Sequence, residues 1–440
     1  MADQKSVRGN MVPPGGPTQT SDIGQGQALL PDTFTLSRMS EMFMERSEQN
    51  CIQLNNVNLG LGQATGFVIN NVGLGESLEL FVSGNIKIKN NAATAETVNL
   101  TPEFPFNLVS NLLVQFNGQT VIDSLSGYEL LGVMAKRYKG CLIGVKRSFG
   151  AVFSQNDTRV SSAIAYVKAG NGDTTLNATE GNSLTGITSA TIAAGKTGQI
   201  DFGFYLRLPF TLRDDLLLGL VPMQNNSVYC NVTITCPGVN PQAVNPASSP
   251  IYGGTANAVF DSASIQAKPT YNFWAIPVPN DPRLYAYLVS HSYMLLSQVN
   301  NPLTKTGAEA LQYNLPNNYY LMGLILTIRD ANGVLIDIPA KADNPYLSYN
   351  GTIRVDRRDI KTRFARQAIY YEAVPSPLGQ LLWDGTDVSY LPNGTNTSKW
   401  LNMYLANNPQ FVADIDGSVS VPGSFAVLRE QLVPANVKIV

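Results

Sequence analysis

Two short segments of this chain, about half its length apart, share nearly the same residue pattern. Residues 112–123 read LLVQFNGQTVID, and residues 324–337 read LILTIRDANGVLID. Each is an apolar run interrupted by Asn-Gly, a pair that tolerates the positive φ angles of a tight hairpin turn. The two asparagines, Asn117 and Asn332, lie 215 residues apart in a chain of 440. The sequence therefore predicts two copies of one β-rich unit.

A second pair of segments follows the two hairpins in the same order. Residues 204–219, FYLRLPFTLRDDLLLG, and 369–385, IYYEAVPSPLGQLLWDG, each combine a predicted strand, a proline corner and a Leu-rich stretch ending at Gly. We therefore expect two successive β-sandwiches, joined near the Pro-, Ser- and Gly-rich stretch at 236–255. This linker assigns residues 51–250 to the first sandwich and 251–440 to the second.

Within these units the apolar residues recur with the period of antiparallel strands. Leu78, Leu80 and Val82 alternate with residues of another kind, as half-buried strands require. The 37 Gly and 26 Pro residues favour many turns. Charged residues make up only 14% of the chain, which suits a surface that neighbouring molecules cover. Residues 151–199, rich in Thr, Ala, Gly and Asn, are interpreted as one extended, exposed loop.

The N-terminal region, residues 1–50, differs from the rest of the chain. Residues 1–31 contain few large apolar side chains, which predicts a mobile arm that only a partner can order. Leu36, Met39 and Phe43 then recur at helical spacing and predict an amphipathic helix. Its apolar face either packs on its own domain or contacts a neighbour or a membrane surface. The start of the chain lacks the apolar segment of a signal peptide, so synthesis in the cytoplasm is expected.

The motifs that would carry enzyme chemistry are incomplete. Residues 194–197 read AGKT, like the end of a phosphate-binding loop, but Ala190 stands where that loop needs glycine. His291 is the single histidine and has no Gly-x-Ser-x-Gly elbow to activate, so we interpret it as structural or surface-exposed. Residues 414–417, DIDG, resemble the start of a calcium loop without its later glutamate, which favours a turn. We expect no catalytic residue, no cofactor and no metal site.

Cysteine and charge patterns exclude two further classes of site. The chain has four cysteines, of which only Cys230 and Cys236 are close in sequence, and without a Cys-x-x-Cys pair they are expected to be free thiols. A net charge of −2 leaves no basic excess for binding nucleic acid directly. Asp356 and Asp359 interleave the second of two basic clusters, which favours local ion pairs or a subunit contact there. The first cluster comprises Lys136, Arg137, Lys139, Lys146 and Arg147, and the second comprises Arg354, Arg357, Arg358, Lys361, Arg363 and Arg366.

Four segments, taken in order, resemble the double jelly-roll major capsid protein of tectivirus-like phages, which belong to the adenovirus-like capsid lineage. The resemblance implies an all-β fold of two tandem eight-stranded jelly rolls, preceded by an N-terminal arm and a short helix. The segments are VNLTPEFPFNLVSNLLVQFNG with SGYELLGVMAKR after it (98–137), ATIAAGKTGQIDFGFYLRLPF (190–210), LQYNLPNNYYLMGLILTIRDANG (311–333) and RRDIKTRFARQAIYYEAV (357–374).

The resemblance also implies a function. Such a protein forms a homotrimer with a pseudo-hexagonal outline, and these capsomers tile an icosahedral shell around an internal membrane. Its partners would be neighbouring capsomers, minor capsid and vertex proteins, and the membrane through the N-terminal region. Leu36, Met39 and Phe43 would face inward or towards a neighbouring capsomer, residues 151–199 would form an outward tower, and the protein would reside in the virion.

Two other functions remain open from the sequence. A two-sandwich spike or receptor-binding protein would recognise carbohydrate through its loops. A β-sandwich glycoside hydrolase would need an aromatic-lined cleft with two carboxylates, and the sequence indicates no particular pair.

Overall fold

A computed structural model describes most of the chain from residue 33 to residue 434. The predicted arm 1–31, His291, Cys141, and both basic clusters beyond Lys136, Arg137 and Arg354 lie outside the described residues. The described ranges are 33–69, 71–138, 164–178, 185–211, 217, 219–223, 229–277, 281–285, 292–349, 352–355, 379–384 and 401–434.

The first part of the chain contains two helices and a long series of strands. The helices are α1 (Thr33–Arg46) and α2 (Gly127–Arg137). The strands are β1 (Gln49–Gln53), β2 (Val57–Leu59), β3 (Ala64–Ile69), β4 (Leu74–Asn90), β5 (Glu96–Leu100), β6 (Asn111–Phe116), β7 (Gln119–Leu125), β8 (Ala165–Ala169), β9 (Thr174–Ala178), β10 (Ile187–Ile192), β11 (Thr197–Pro209), β12 (Val221–Pro222), β13 (Cys230–Thr235), β14 (Ile251–Tyr252) and β15 (Ala258–Trp274).

These strands form the first sandwich. One layer has the order β1-β15-β4-β11-β8, and the facing layer contains β7-β6-β13-β3. Leu78, Leu80 and Val82 of β4 are fully buried in the core between the layers, which confirms the alternation predicted from the sequence. Aromatic rings also pack in this core, where the ring centroids of Phe116 and Phe210 lie 5.1 Å apart. Such inward alternation on both layers is the basis of a sandwich core.

The first predicted hairpin is confirmed as β6 and β7. Phe116 pairs with Gln119, and the two residues between them form the turn. Asn117 and Gly118 have φ angles of 48° and 78°. Positive φ at both central positions is the geometry for which Asn-Gly is selected, because it matches the twist of the flanking strands.

The prediction of a single loop over residues 151–199 is wrong for its described part. This part contains β8, β9, β10 and the start of β11. In β10 Ala190 and Ile192 are buried, whereas the Thr191 hydroxyl lies on the other face, 2.9 Å from the Thr97 hydroxyl of β5. Threonine is a strand former, and one face of these strands packs on the core. The Thr-rich composition of this segment therefore suits strands and does not by itself indicate a loop.

The expected boundary at residue 250 also differs from the observed pairing. β14 pairs with β5, and β15 pairs with β4 along almost its whole length, from Ala258 opposite Asn90 to Trp274 opposite Leu74. The first sandwich therefore continues through Trp274. The Pro-rich stretch at 236–255 is a long connection inside this sandwich, because strands far apart in sequence complete one sheet.

The remaining chain contains two short helices and a second series of strands. The helices are α3 (Pro282–Tyr285) and α4 (Ile338–Lys341). The strands are β16 (Ser292–Leu303), β17 (Gly307–Asn314), β18 (Tyr320–Arg329), β19 (Ala342–Tyr349), β20 (Thr352–Val355), β21 (Gln380–Asp384), β22 (Leu401–Asn402), β23 (Gln410–Ile415) and β24 (Gly423–Pro434).

The second sandwich repeats the two-layer plan. Among the described residues, its layers are β21-β18-β24-β16 and β17-β23-β19-β20. Leu324, Trp383 and Phe411 lie in a core cluster of their own, separate from that of the first sandwich. The described strands thus form two tandem jelly rolls of antiparallel strands, as the sequence predicted.

The second predicted hairpin is only partly formed. Asp330 N donates to Val334 O over 2.9 Å, and Gly333 has a φ of 79°, so the chain does turn here. The return segment forms one bridge, between Arg329 and Leu335, before α4 begins. Proline follows Ile338 at the start of α4 and has no N–H to extend a strand ladder.

One sheet runs through both sandwiches. β16 of the second sandwich pairs in parallel with β7 of the first, placing Leu296 opposite Ile122 and Ser297 opposite Asp123. The strand order is then β21-β18-β24-β16-β7-β6-β13-β3, which we call the shared sheet. Backbone hydrogen bonds across β16 and β7 hold the two sandwiches in one orientation.

Candidate functional site

Helix α1 is attached to its own chain by Phe43. The Phe43 side chain is fully buried, and its ring centroid lies 5.8 Å from that of Trp274. The expectation that Phe43 faces a neighbouring molecule is therefore not met, because its own chain covers it. The other members of this small core are Leu74, Leu217, Leu220 and Leu284.

The surface of α1 that flanks Phe43 is partly exposed. Met42 and Met44 are each 37% exposed, and Met39 is half-buried. Glu45 and Arg46 are exposed beside them, so acids and bases share this side. Leu36 lies within α1, towards its N-terminal end. The sequence predicts that Leu36, Met39 and Phe43 face inward or towards a neighbouring capsomer, and of their described side chains only that of Met39 is partly accessible.

A buried carboxylate fixes the sheet below α1. Glu76 of β4 is 4% exposed and accepts from Trp274 Nε1 and Gln49 Nε2, at 2.8 and 2.7 Å. Its other oxygen lies 2.8 Å from Arg207 Nη2. Both carboxylate oxygens are occupied by donors of the same chain, which makes Glu76 a structural group.

The AGKT and DIDG strings, which resemble incomplete phosphate and calcium loops, each contain a turn between two strands. Gly195 has a φ of 66° and joins β10 to β11, and its N–H donates to Ala92 O over 2.9 Å. That amide is therefore not available to hold a phosphate. Asp416 Oδ1 accepts from Ser418 N over 2.8 Å, as a turn aspartate does. Within the described ranges, no group of three or more His, Cys, Asp or Glu side chains is arranged to hold a metal ion.

The expectation of free thiols is confirmed for the three described cysteines. Cys51 is exposed on β1, whereas Cys230 and Cys236 are buried. Burial raises the pKa of the Cys236 thiol to about 11 and raises that of Cys230 as well. Neither buried thiol is a reactive thiolate near neutral pH.

The described part of the first basic cluster lies inside the protein. Lys136 and Arg137 end α2, and their side chains are 9% and 11% exposed. Lys136 Nζ contacts Glu430 Oε2 of β24, and Arg137 Nε lies 3.7 Å from Glu430 Oε1. These bases join α2 to the second sandwich and do not form a charged surface.

The other end of α2 also contacts the second sandwich. Ser126 caps the helix, since its hydroxyl accepts from Glu129 N over 3.3 Å. Arg329 of β18 places Nη2 2.8 Å from Glu103 Oε1 and 3.4 Å from Glu129 Oε1. Burial raises the pKa of the Glu103 carboxyl, although Arg329 opposes this shift. We call Glu103, Glu129 and Arg329 the junction triad.

Sequence reasoning missed the junction triad. Arg329 and Glu430 each occur in strands that are otherwise largely apolar on their inner side, and Glu129 stands in the capping pattern after Ser126. A charge inside an apolar run is the available signal, because buried charges are rare unless they are paired. The sequence does not say which acid meets which base.

The second basic cluster is described at a single position. Arg354 lies in β20, at the edge of the layer β17-β23-β19-β20.

None of the described helices has the length and apolarity needed to cross a bilayer.

No family model matches this chain, and no curated protein sequence matches it. Solved structures of viral capsids do match. The structure of the STIV major capsid protein has a TM-score of 0.55 and 9% identity, and the match covers 88% of this chain and 97% of that one. The atomic structure of Sulfolobus Turreted Icosahedral Virus follows at 0.53 and 10%, covering 88% and 91%. The PBCV-1 virus capsid follows at 0.52 and 13%, covering 88% and 93%. Identities this low show a shared fold, the double jelly roll.

Proposed function

We propose that this protein is the major capsid protein of an icosahedral virus. The observation that supports this most directly is the double jelly roll itself, which spans 88% of this chain and 97% of the STIV major capsid protein. The tectivirus-like kind of virus is supported by the sequence resemblance alone. No observation among the described residues favours the carbohydrate-binding spike or the glycoside hydrolase.

In this proposal three copies form one capsomer. Two similar sandwiches per chain give a threefold trimer six similar columns, so its outline is nearly hexagonal and it tiles a closed shell. Each capsomer meets several others, so weak individual contacts add up to a stable shell. The basic cluster from Arg354 to Arg366 is proposed as one of the subunit contacts.

The way the sandwiches are joined supports a role as a building block. A capsomer must keep its outline when it contacts its neighbours in the shell. The parallel pairing of β16 with β7 and the ion pairs at both ends of α2 fix one sandwich against the other. Two sandwiches on a flexible linker would not keep that outline.

The N-terminal region is proposed to lie at the inner side of the shell. Phe43 anchors α1 to its own chain, and Met42 and Met44 in the C-terminal half of the helix remain exposed. Acids and bases are mixed on this side, which gives little attraction to anionic lipid and favours protein contacts. Neighbouring capsomers are thus the first partners of this region, followed by minor capsid proteins, vertex proteins and the internal membrane.

The oligomeric state tests the proposal. We expect the purified chain to have the mass of a trimer by light scattering and to show six-lobed particles by negative-stain microscopy. A protein that stays monomeric at every concentration examined would contradict the proposed function.

A truncation separates the arm from the body of the protein. Removing residues 1–32 leaves α1 and Phe43 in place, so trimers should form while shell assembly or membrane association is impaired. A second variant, Met42→Ser with Met44→Ser, keeps the arm and changes only exposed side chains of α1, so it shows whether an assembly defect comes from the arm or from α1. If the truncated chain assembles shells as well as the full chain does, the proposed role of the arm is wrong.

A further inference from the structure

Two carboxyl groups share one guanidinium at the junction between the sandwiches. Arg329 Nε donates to Glu103 Oε1 over 2.9 Å, and its Nη2 lies 3.4 Å from Glu129 Oε1. Glu103 lies between β5 and β6, and Glu129 lies in the first turn of α2. The first sandwich therefore supplies two acids, and the second supplies one base.

The charges of the junction triad do not balance. With both acids ionised, the triad carries a net charge of −1. The side chains of Glu103 and Glu129 are only 6% and 1% exposed, and that of Arg329 is 23% exposed. An uncompensated charge at this depth is costly, and buried acids commonly take up a proton instead.

The described groups around the triad do not supply the missing positive charge. Among the described residues, Tyr128 of α2 interacts with Arg329, and Tyr252 of β14 interacts with Glu103. Both are phenols, which are neutral or negative. Lys136 and Arg137 lie at the far end of α2, where Glu430 engages them.

Orphaned oxygen atoms beside the triad point the same way. In the described part of the chain, Glu129 Oε2, Gln380 Oε1 and Thr327 Oγ1 are buried without a hydrogen-bond partner. Thr327 and Gln380 are opposite each other in β18 and β21, and Gln380 Nε2 donates to Tyr128 O of α2 over 2.9 Å. Carboxylate and amide oxygens only accept hydrogen bonds, and the Thr327 hydroxyl has one hydrogen to donate, so at least one of the other two oxygens lacks a donor.

We propose that Glu103 holds a proton at neutral pH beside the charge of Glu129, and that the loss of this proton at higher pH destabilises the junction between the two sandwiches. Burial of Glu103 and the neighbouring charge of Glu129 both raise the pKa of the Glu103 carboxyl, which supports the proposal. The junction then responds to pH as one unit.

The sign of the effect follows from proton linkage. The folded protein binds this proton more tightly than the unfolded chain does. The stabilisation is therefore complete below the ordinary Glu pKa of 4.5 and is lost as the pH rises through the higher folded-state pKa. Each unit of difference between the two pKa values changes the unfolding equilibrium constant about tenfold.

Infrared spectroscopy of the full chain tests for the proton directly. We expect the C=O band of a protonated carboxyl group at about pH 7, and its disappearance at higher pH. The band should be lost in Glu103→Gln or in Glu129→Gln. It should remain in the control Glu76→Gln, which removes a buried acid that has a guanidinium of its own.

Denaturant unfolding supplies the second measurement. Between about pH 6 and about pH 9 the unfolding equilibrium constant of the wild-type protein should rise roughly tenfold more than that of Glu103→Gln. Glu76→Gln should be less stable but should keep the wild-type pH dependence. Absence of the band at neutral pH, or equal pH dependence in wild type and Glu103→Gln, would overturn the proposal. If neither triad variant folds, the wild-type band alone decides.

Discussion

At the scale of single residues, Phe43 shows how an amphipathic pattern leaves its partner open. Helical spacing correctly indicated a helix with an apolar side, which is α1 (Thr33–Arg46). The pattern does not say which surface covers the apolar side of the helix. Trp274, more than two hundred residues away in sequence, supplies it. A helix side that looks available for a neighbour is thus used within the chain.

Replacing Phe43 with alanine tests this packing. We expect Phe43→Ala to lower the free energy of unfolding by about 3 to 5 kcal/mol, because it empties a fully buried site between Trp274 and Leu74. Met42→Ala, one position earlier and 37% exposed, should change it by less than about 1 kcal/mol. Denaturant titration measures both, and similar costs for the two variants would place Phe43 outside the core.

At the scale of elements, the two Asn-Gly turns show how far a local signal reaches. Both produce a turn with glycine at positive φ, but only the first continues into a full hairpin. After the second turn, the chain forms one β-bridge and then continues into α4. Turn chemistry is local, whereas strand length depends on the neighbours available for pairing.

The two turn glycines should respond differently to alanine. Gly118→Ala introduces a left-handed alanine with open space around its Cβ, which should cost about 1 to 2 kcal/mol. Gly333→Ala adds a clash, since its Cβ would lie 2.6 Å from Ala247 N, and should cost about 1 to 3 kcal/mol more. Thermal unfolding of the two variants measures the difference. Equal losses of stability in the two variants would mean that residues 245–248 move away from the new Cβ without a cost in free energy.

At the scale of the whole molecule, the shared sheet decides how the two copies behave. Two sandwiches with separate cores would ordinarily unfold as two domains. Here β16 pairs with β7, and α2 of the first sandwich is bound by Arg329 and Glu430 of the second. The internal duplication has therefore produced one body with two cores.

Calorimetry tests this coupling. We expect one unfolding transition, with calorimetric and van't Hoff enthalpies close to each other, because neither sandwich can open without breaking the shared sheet. Hydrogen exchange should give β7 and β16 similar protection for the same reason. Two resolved transitions would show that the sandwiches are independent.

The sequence by itself determined the architecture: the period of the strands, the turn residues and the repeat all report local preferences, and local preferences are readable in one dimension. It also favoured a turn at the DIDG string, and a turn does follow β23 at Asp416. Only the tertiary structure decided that residues 164–199 contain strands, that the first sandwich runs to Trp274, and that Glu103, Glu129 and Arg329 meet. Strand pairing and ion pairing join residues far apart in the chain, and which of them come together depends on the packing of all the others.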